Sequence, residues 1–354
     1  VREELDRILS SGYLVQGNRV RDLEDRIGAF LGGVPAVAVS SGTAALHLSL
    51  MVLGVRAGDT VVVPAFTFPA TANVVEHLGA RVCFVDVDPA TFNISASCLE
   101  PALAGARAVI PVHLFGVPAD MDAVTETAAR SGAKVVEDAA CAMGATFRGR
   151  MCGTIGDLGI YSFHPRKLMT TGEGGLVTTR HREHAESLRS LRDHGLTKGQ
   201  GGRDILAPGL NYRMSELHAA LGLASLGAFS HEIAERQRLA SFYEAGLARF
   251  EGLGMQSVPQ GGKRVYQSFT VLLSGTAARD EVIAAMWKMG VETTTGTYGV
   301  HLLTYYREKY GIAPRDFPAA TMLDARALTL PLHSGMREED VGYVLDCLGR
   351  VLER

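Results

Sequence analysis

Ala36-Val37-Ala38-Val39-Ser40-Ser41-Gly42-Thr43-Ala44-Ala45-Leu46 carries an apolar run through a small-residue turn into apolar residues at helical spacing. An uninterrupted apolar run suits a strand buried on both faces, and Thr43–Leu53 reads as the helix that follows it. Outward from this stretch the same alternation repeats. Thr60–Val63, Val82–Val85, Ala108–Val112, Lys134–Val136, Gly159–Phe163 and Leu176–Thr179 read as strands. Ala70–Leu78, Met121–Arg130 and Arg182–Asp193 read as helices. Repeated βα units predict an α/β fold with a mainly parallel sheet covered on both faces. In such a sheet, ligands bind where the strands' carboxyl ends release their loops.

After Ser215 the texture changes. Ser215 to about Phe250 reads as one or two long helices, followed by a strand at Tyr266–Leu273 and a helix at Arg279–Met289. A strand at Thr293–Thr297 and a closing helix at Glu338–Leu352 complete the chain. This predicts a large domain over residues 1–230 and a smaller C-terminal α+β domain over 231–354. Trp287, the only tryptophan, reads as packing in the smaller domain.

The 354 residues are 47% hydrophobic and carry a formal charge of −3, which excludes intrinsic disorder. Without a basic excess or a long Lys/Arg run, a general nucleic-acid partner is not expected. Neither is a membrane span, since no apolar run reaches the necessary length. Val1-Arg2-Glu3-Glu4-Leu5 has acids where a signal peptide has an apolar core. Five cysteines with no C-x-x-C pair suit free thiols in the cytoplasm, with neither a disulfide framework nor a metal site. Glycine is in excess, at 40 residues, which suits either tight βα turns or loops that approach a ligand closely.

Three stretches could carry chemistry. The turn Ser40–Ala45 opens a helix, where free N–H groups attract a phosphate, although Ser and Thr also cap ordinary helices. Val135-Val136-Glu137-Asp138-Ala139-Ala140 puts acids at the end of a buried strand, where a carboxylate can face a ligand or merely cap a turn. Tyr161-Ser162-Phe163-His164-Pro165-Arg166-Lys167-Leu168-Met169-Thr170-Thr171-Gly172-Glu173-Gly174-Gly175 sets a lysine among apolar and small residues. Desolvation there would make it a nucleophilic amine, whereas a hairpin lysine on the surface would be inert. Together these are the parts that hold pyridoxal phosphate: a phosphate cradle, a partner for the ring nitrogen and a Schiff-base amine.

These motifs, with Pro64-Ala65-Phe66-Thr67-Phe68, Pro111-Val112-His113-Leu114-Phe115-Gly116, Leu191-Arg192-Asp193-His194-Gly195 and Gly209-Leu210-Asn211-Tyr212-Arg213-Met214-Ser215, occur in one order along the chain. In that order the chain resembles the DegT/DnrJ/EryC1/StrS family of pyridoxal-phosphate-dependent sugar aminotransferases. The resemblance implies the fold type I architecture of PLP-dependent transferases. It makes Lys167 the Schiff-base lysine and Asp138 the carboxylate that keeps the pyridine nitrogen protonated. Phe68 falls where an aromatic ring stacks on the cofactor. Gly42, Thr43, Ala44 and Ser162 fall on phosphate-binding positions. Asn211 matches a residue that reaches the neighbouring subunit's cofactor, which implies a homodimer with shared sites. Cys141 stands where Gln or His is frequent near the cofactor's phenolic oxygen, and His218 where Gln is common.

The implied reaction moves an amino group from L-glutamate, through pyridoxamine 5′-phosphate, to a keto sugar, with a nucleotide-linked 4-keto-6-deoxyhexose as the expected acceptor. A 3-keto sugar, a keto-inositol and a cofactor-binding regulatory protein without turnover are the alternatives. Lys167 argues against the family's dehydratases, which have His at that position. The family's sugar contacts fall near Tyr298, His301, Tyr305 and Tyr306, where amphipathic packing is an equal explanation.

Overall fold

The computed structural model describes residues 1–199, 202–205, 207–273 and 278–353. Its centre is a seven-stranded sheet: β1 (Ala36–Val39), β2 (Thr60–Pro64), β3 (Arg81–Val85), β4 (Ala108–Val109), β5 (Lys134–Asp138), β6 (Leu158–Ser162) and β7 (Gly175–Thr179), in the order β1-β7-β6-β5-β4-β2-β3. The pairs from β3 across to β6 are parallel, and β7 runs antiparallel to both β6 and β1. The expected α/β architecture is therefore present, as a mixed sheet that is mostly parallel. Val37, Val39, Val61, Val63, Val136 and Ile160 are all fully buried, as strands covered by helices on both sides require.

Each boundary has a local cause. The helix Gly42–Val52 begins at Ser41, whose extended backbone frees its hydroxyl to accept the Ala44 N–H at 3.0 Å. β4 stops at Val109, short of the expected Val112, since Pro111 has no N–H to donate; Val112 keeps only an isolated bridge to Asp138. The strand expected at Thr293–Thr297 does not form. Gly296 there has φ +79, and a Cβ on it would lie 2.4 Å from Thr329 Oγ1, so only a bridge between Thr294 and Thr329 remains. The two-residue strand Tyr298–Gly299 follows and pairs with Phe66–Thr67 beside β2.

Of the one or two helices expected there is one, Glu216–Leu247, and residue 230 lies inside it. Phe229 packs in a core of the large body, whereas Leu239, Tyr243 and Leu247 pack with Phe269, Val271, Val282, Met286 and Val344 in the second. That second core lies on a three-stranded antiparallel sheet in which Phe269–Leu273 is central between Leu253–Met255 and Ala327–Leu330. Val300, Tyr306, Ala320 and Leu323 return to the large core. Trp287 does not pack as expected: it is 65% exposed. Val282 and Met286, four residues apart, set the buried face of its helix, and residue 287 projects off that face. Among the described residues, no helix is long and apolar enough to cross a membrane.

Candidate active site

β5 delivers Asp138 to the carboxyl edge of the sheet, where it is buried. The Thr71 hydroxyl donates to its Oδ2 at 2.9 Å, and the Ala140 N–H to its Oδ1 at 3.1 Å. Thr71 is itself 3.3 Å from the Thr67 hydroxyl, so a chain of polar groups leads from Asp138 to the residue beside Phe68. Burial pushes the Asp138 carboxyl above the ordinary carboxylate range. The Ala140 N–H, the Thr71 hydroxyl and the charge of Lys167 pull the other way. Each oxygen accepts one bond and keeps room for another, so the group is ready to accept from a cationic N–H.

Adjacent strand residues face opposite ways, and Glu137 points into the other layer. It accepts from His113 Nε2 at 2.9 Å, from the Gly153 N–H at 2.8 Å and from the Gly156 and Ile155 N–H groups. The Ala119 N–H donates to His113 Nδ1 at 3.0 Å, which assigns the imidazole proton to Nε2. Fully buried Glu137 and His113 thus form a fixed support beneath Asp138. His113 N–H also donates to the Asp138 carbonyl at 3.0 Å.

Lys167 lies in the loop between β6 and β7. Its Nζ donates to Cys141 Sγ at 3.0 Å, three residues beyond Asp138. The helix start and β6 meet at Gly42, where an added Cβ would stand 2.9 Å from Ser162 Cβ. Only glycine allows that approach, and it brings the helix's first N–H groups beside the Ser162 side chain. Thr43 is exposed there and Ala44 buried. Phe68 is 54% exposed, its ring 6.2 Å from that of Tyr298.

The structure thus joins Asp138 to Lys167 and Cys141, and Gly42 to Ser162. Asn211 stands apart within one chain: it is exposed, and its backbone bridges Asp193. It does lie next to Tyr212, whose carbonyl accepts the Ser40 N–H at 2.9 Å at the end of β1. Of the aromatic cluster, His301 is buried between the Ala65 carbonyl and Thr321, Tyr306 bonds Asn73 and Tyr305 bonds Glu76. His301 and Tyr306 are packing and framework residues, Tyr305 is exposed and tied to Glu76, and the partly exposed Tyr298 ring lies beside that of Phe68. Sequence reading assigned no role to Thr71 or to the His113–Glu137 pair. His218 faces the loop at Gly172, its Cδ2 3.9 Å from where a Cβ would be. Among the described residues, no group of three or more His, Cys, Asp or Glu could hold a metal ion.

The donor set fits pyridoxal phosphate. There is an amine on a loop, a buried carboxylate with free acceptor sites, an exposed aromatic face, and a glycine-narrowed helix start beside a serine. Comparison with known proteins agrees. The chain is 37% identical to the GDP-perosamine synthase of Caulobacter vibrioides, over 95% of this chain and 91% of that one. The structure of S. venezuelae DesV in complex with a ketimine intermediate superposes with a TM-score of 0.93, at 33% identity over 100% of this chain and 94% of that one. Spr1654 of Streptococcus pneumoniae in its PLP form superposes with a TM-score of 0.93, at 28% identity over 99% of this chain and 95% of that one. The fold is therefore the fold type I architecture that the sequence led us to expect. The family profile matches residues 1–349, and with the site in this arrangement the chain belongs to the DegT/DnrJ/EryC1/StrS aminotransferase family.

Proposed function

We propose that this aminotransferase uses pyridoxal 5′-phosphate to move the amino group of L-glutamate to a keto sugar, and that the acceptor is a nucleotide-linked 4-keto-6-deoxyhexose. The observation that carries the reading is the Lys167 amine held on Cys141, near a buried carboxylate that accepts from Thr71, with the exposed ring of Phe68 three residues before Thr71. A relative named as a GDP-perosamine synthase supports a nucleotide-linked acceptor, and the PLP and PMP forms of Spr1654 support the cofactor.

When bound, the cofactor supplies an aldehyde that takes up amino groups and a ring that receives an electron pair. Lys167 Nζ would take the proton from the amino acid's Cα and deliver it to the carbon that had been the cofactor's aldehyde carbon. Cys141 Sγ orients that amine. Asp138 would accept from the protonated ring nitrogen, and the Thr71 hydroxyl and Ala140 N–H favour its ionised form against burial. Gly42 and Thr43 would offer helix-start N–H groups to the phosphate, the Ala44 N–H being held by the Ser41 hydroxyl, and Ser162 would offer its own hydroxyl. Phe68, whose ring is exposed, would cover one ring face. Asn211, exposed in one chain, reaches the phosphate held by a second copy, so that a homodimer completes both sites. The five cysteines are free thiols, which supports a cytoplasmic location.

The test is to incubate the purified protein with L-glutamate and a nucleotide-linked 4-keto-6-deoxyhexose and to follow the amino sugar by mass spectrometry. Product that depends on both substrates supports the reading. Amination of a 3-keto sugar or keto-inositol instead would replace the acceptor. Glutamate-dependent turnover with none of them would overturn the proposal.

A further inference from the structure

The loop that carries Lys167 is held from the second body. Gln267 is buried two residues before the central strand Phe269–Leu273. Its Oε1 accepts the Leu168 N–H at 3.0 Å, and its Nε2 donates to the Arg166 carbonyl at 2.6 Å. These are the peptide groups on either side of Lys167, so one planar amide spans that residue. Lys167's own N–H is taken by the His164 carbonyl at 2.8 Å. The anchor is itself anchored. The Gln267 carbonyl accepts from Arg236 Nη1 at 3.2 Å, and the same nitrogen donates to the Leu332 carbonyl at 2.9 Å. Arg236 Nε pairs with Glu232 at 2.7 Å on the long helix.

A side chain needed only for volume would not have to match the polarity of its neighbours. Gln267 presents an acceptor to a donor and a donor to an acceptor at once. Methionine has the length but neither group, and an ionised glutamate has no donor. We propose that Gln267 is a positioning residue: it fixes the peptide groups flanking Lys167, hence the direction of Nζ, and transmits the placement of the small-domain strand to the reacting amine. The inference rests on Lys167 being that amine.

Three readouts test it. In Gln267→Met, kcat for the glutamate half-reaction falls by roughly 10- to 100-fold, as misplacing a reacting group does, with KM for L-glutamate little changed. In Gln267→Glu, a protonated carboxyl restores both bonds, so kcat relative to wild type recovers as pH falls, whereas Gln267→Met shows no such recovery. If Gln267→Met does not fold, the pH profile of Gln267→Glu carries the test. In the cofactor-free protein, acylation of Lys167 measured by peptide mass spectrometry, relative to exposed Lys288, changes several-fold in Gln267→Met. Unchanged kcat and acylation in Gln267→Met, or a Gln267→Glu deficit that is the same at every pH, would overturn the inference. Turnover by Lys167→Ala would instead overturn the underlying reading of Lys167.

Discussion

Replacing Thr71 by valine keeps the branched shape and removes one hydroxyl, the donor 2.9 Å from Asp138 Oδ2. A hydrogen bond to a charged group contributes about 1.5–3 kcal/mol. Asp138 keeps the Ala140 N–H on its other oxygen, so the lower half of that range is the better expectation. About 1.4 kcal/mol corresponds to one unit of pKa and to a tenfold change in affinity. The sign follows from which form Thr71 favours. Its hydroxyl stabilises the carboxylate, so its loss raises further a carboxyl that burial already holds above the ordinary range. A cationic ring nitrogen needs that carboxylate ionised in the free protein. Cofactor affinity therefore falls as pH drops through the Asp138 pKa, and in Thr71→Val the fall comes at higher pH, by about one unit. Titration of the cofactor-free protein with pyridoxal 5′-phosphate across a pH series, followed by fluorescence, measures both curves. Affinities that converge at alkaline pH and separate on the acid side are expected. Superimposable acid limbs would refute the role given to Thr71 in favouring the ionised form of Asp138.

Gly42→Ala forces a Cβ to within 2.9 Å of Ser162 Cβ. Overpacking of this kind costs about 1–3 kcal/mol, and moving the helix start should weaken cofactor binding by about tenfold or more; an alanine variant that binds as tightly as wild type would remove the phosphate cradle from the site. Glu137→Gln turns an amide NH₂ toward donors that now meet a carboxylate oxygen. Breaking a buried charged network costs about 3–5 kcal/mol, to be read by urea denaturation, and a loss below about 1 kcal/mol would show that the support beneath Asp138 is dispensable.

The sheet was legible because its strands are short apolar runs buried on both faces, as Ala36–Val39 and Thr60–Pro64 are. Lys167, Asp138 and Gly42 could be singled out as candidates because their motifs keep a fixed order along the chain, and the fold brings Lys167 to Cys141, beyond Asp138, and Gly42 to Ser162. Thr293–Thr297 misled because a threonine-rich run has the composition of a strand, while a single left-handed glycine decides against it. Trp287 misled because size alone does not fix which side of a helix a residue occupies. Thr71 and Gln267 gave no signal of their own: their roles arise from groups 67 and 99 to 101 residues away in sequence that only the folded chain brings into reach. Asn211 is exposed in the single chain, so the role proposed for it rests on a second copy.

The absorption spectrum of the purified protein with pyridoxal phosphate, before and after L-glutamate, in wild type and Lys167→Ala, tests the assignment of Lys167 and the amino donor together. Glutamate should convert the wild-type visible band to that of the aminated cofactor, while Lys167→Ala still binds the cofactor but does not turn over. A wild-type band that glutamate leaves unchanged, or a Lys167→Ala variant with near-full turnover, would contradict it.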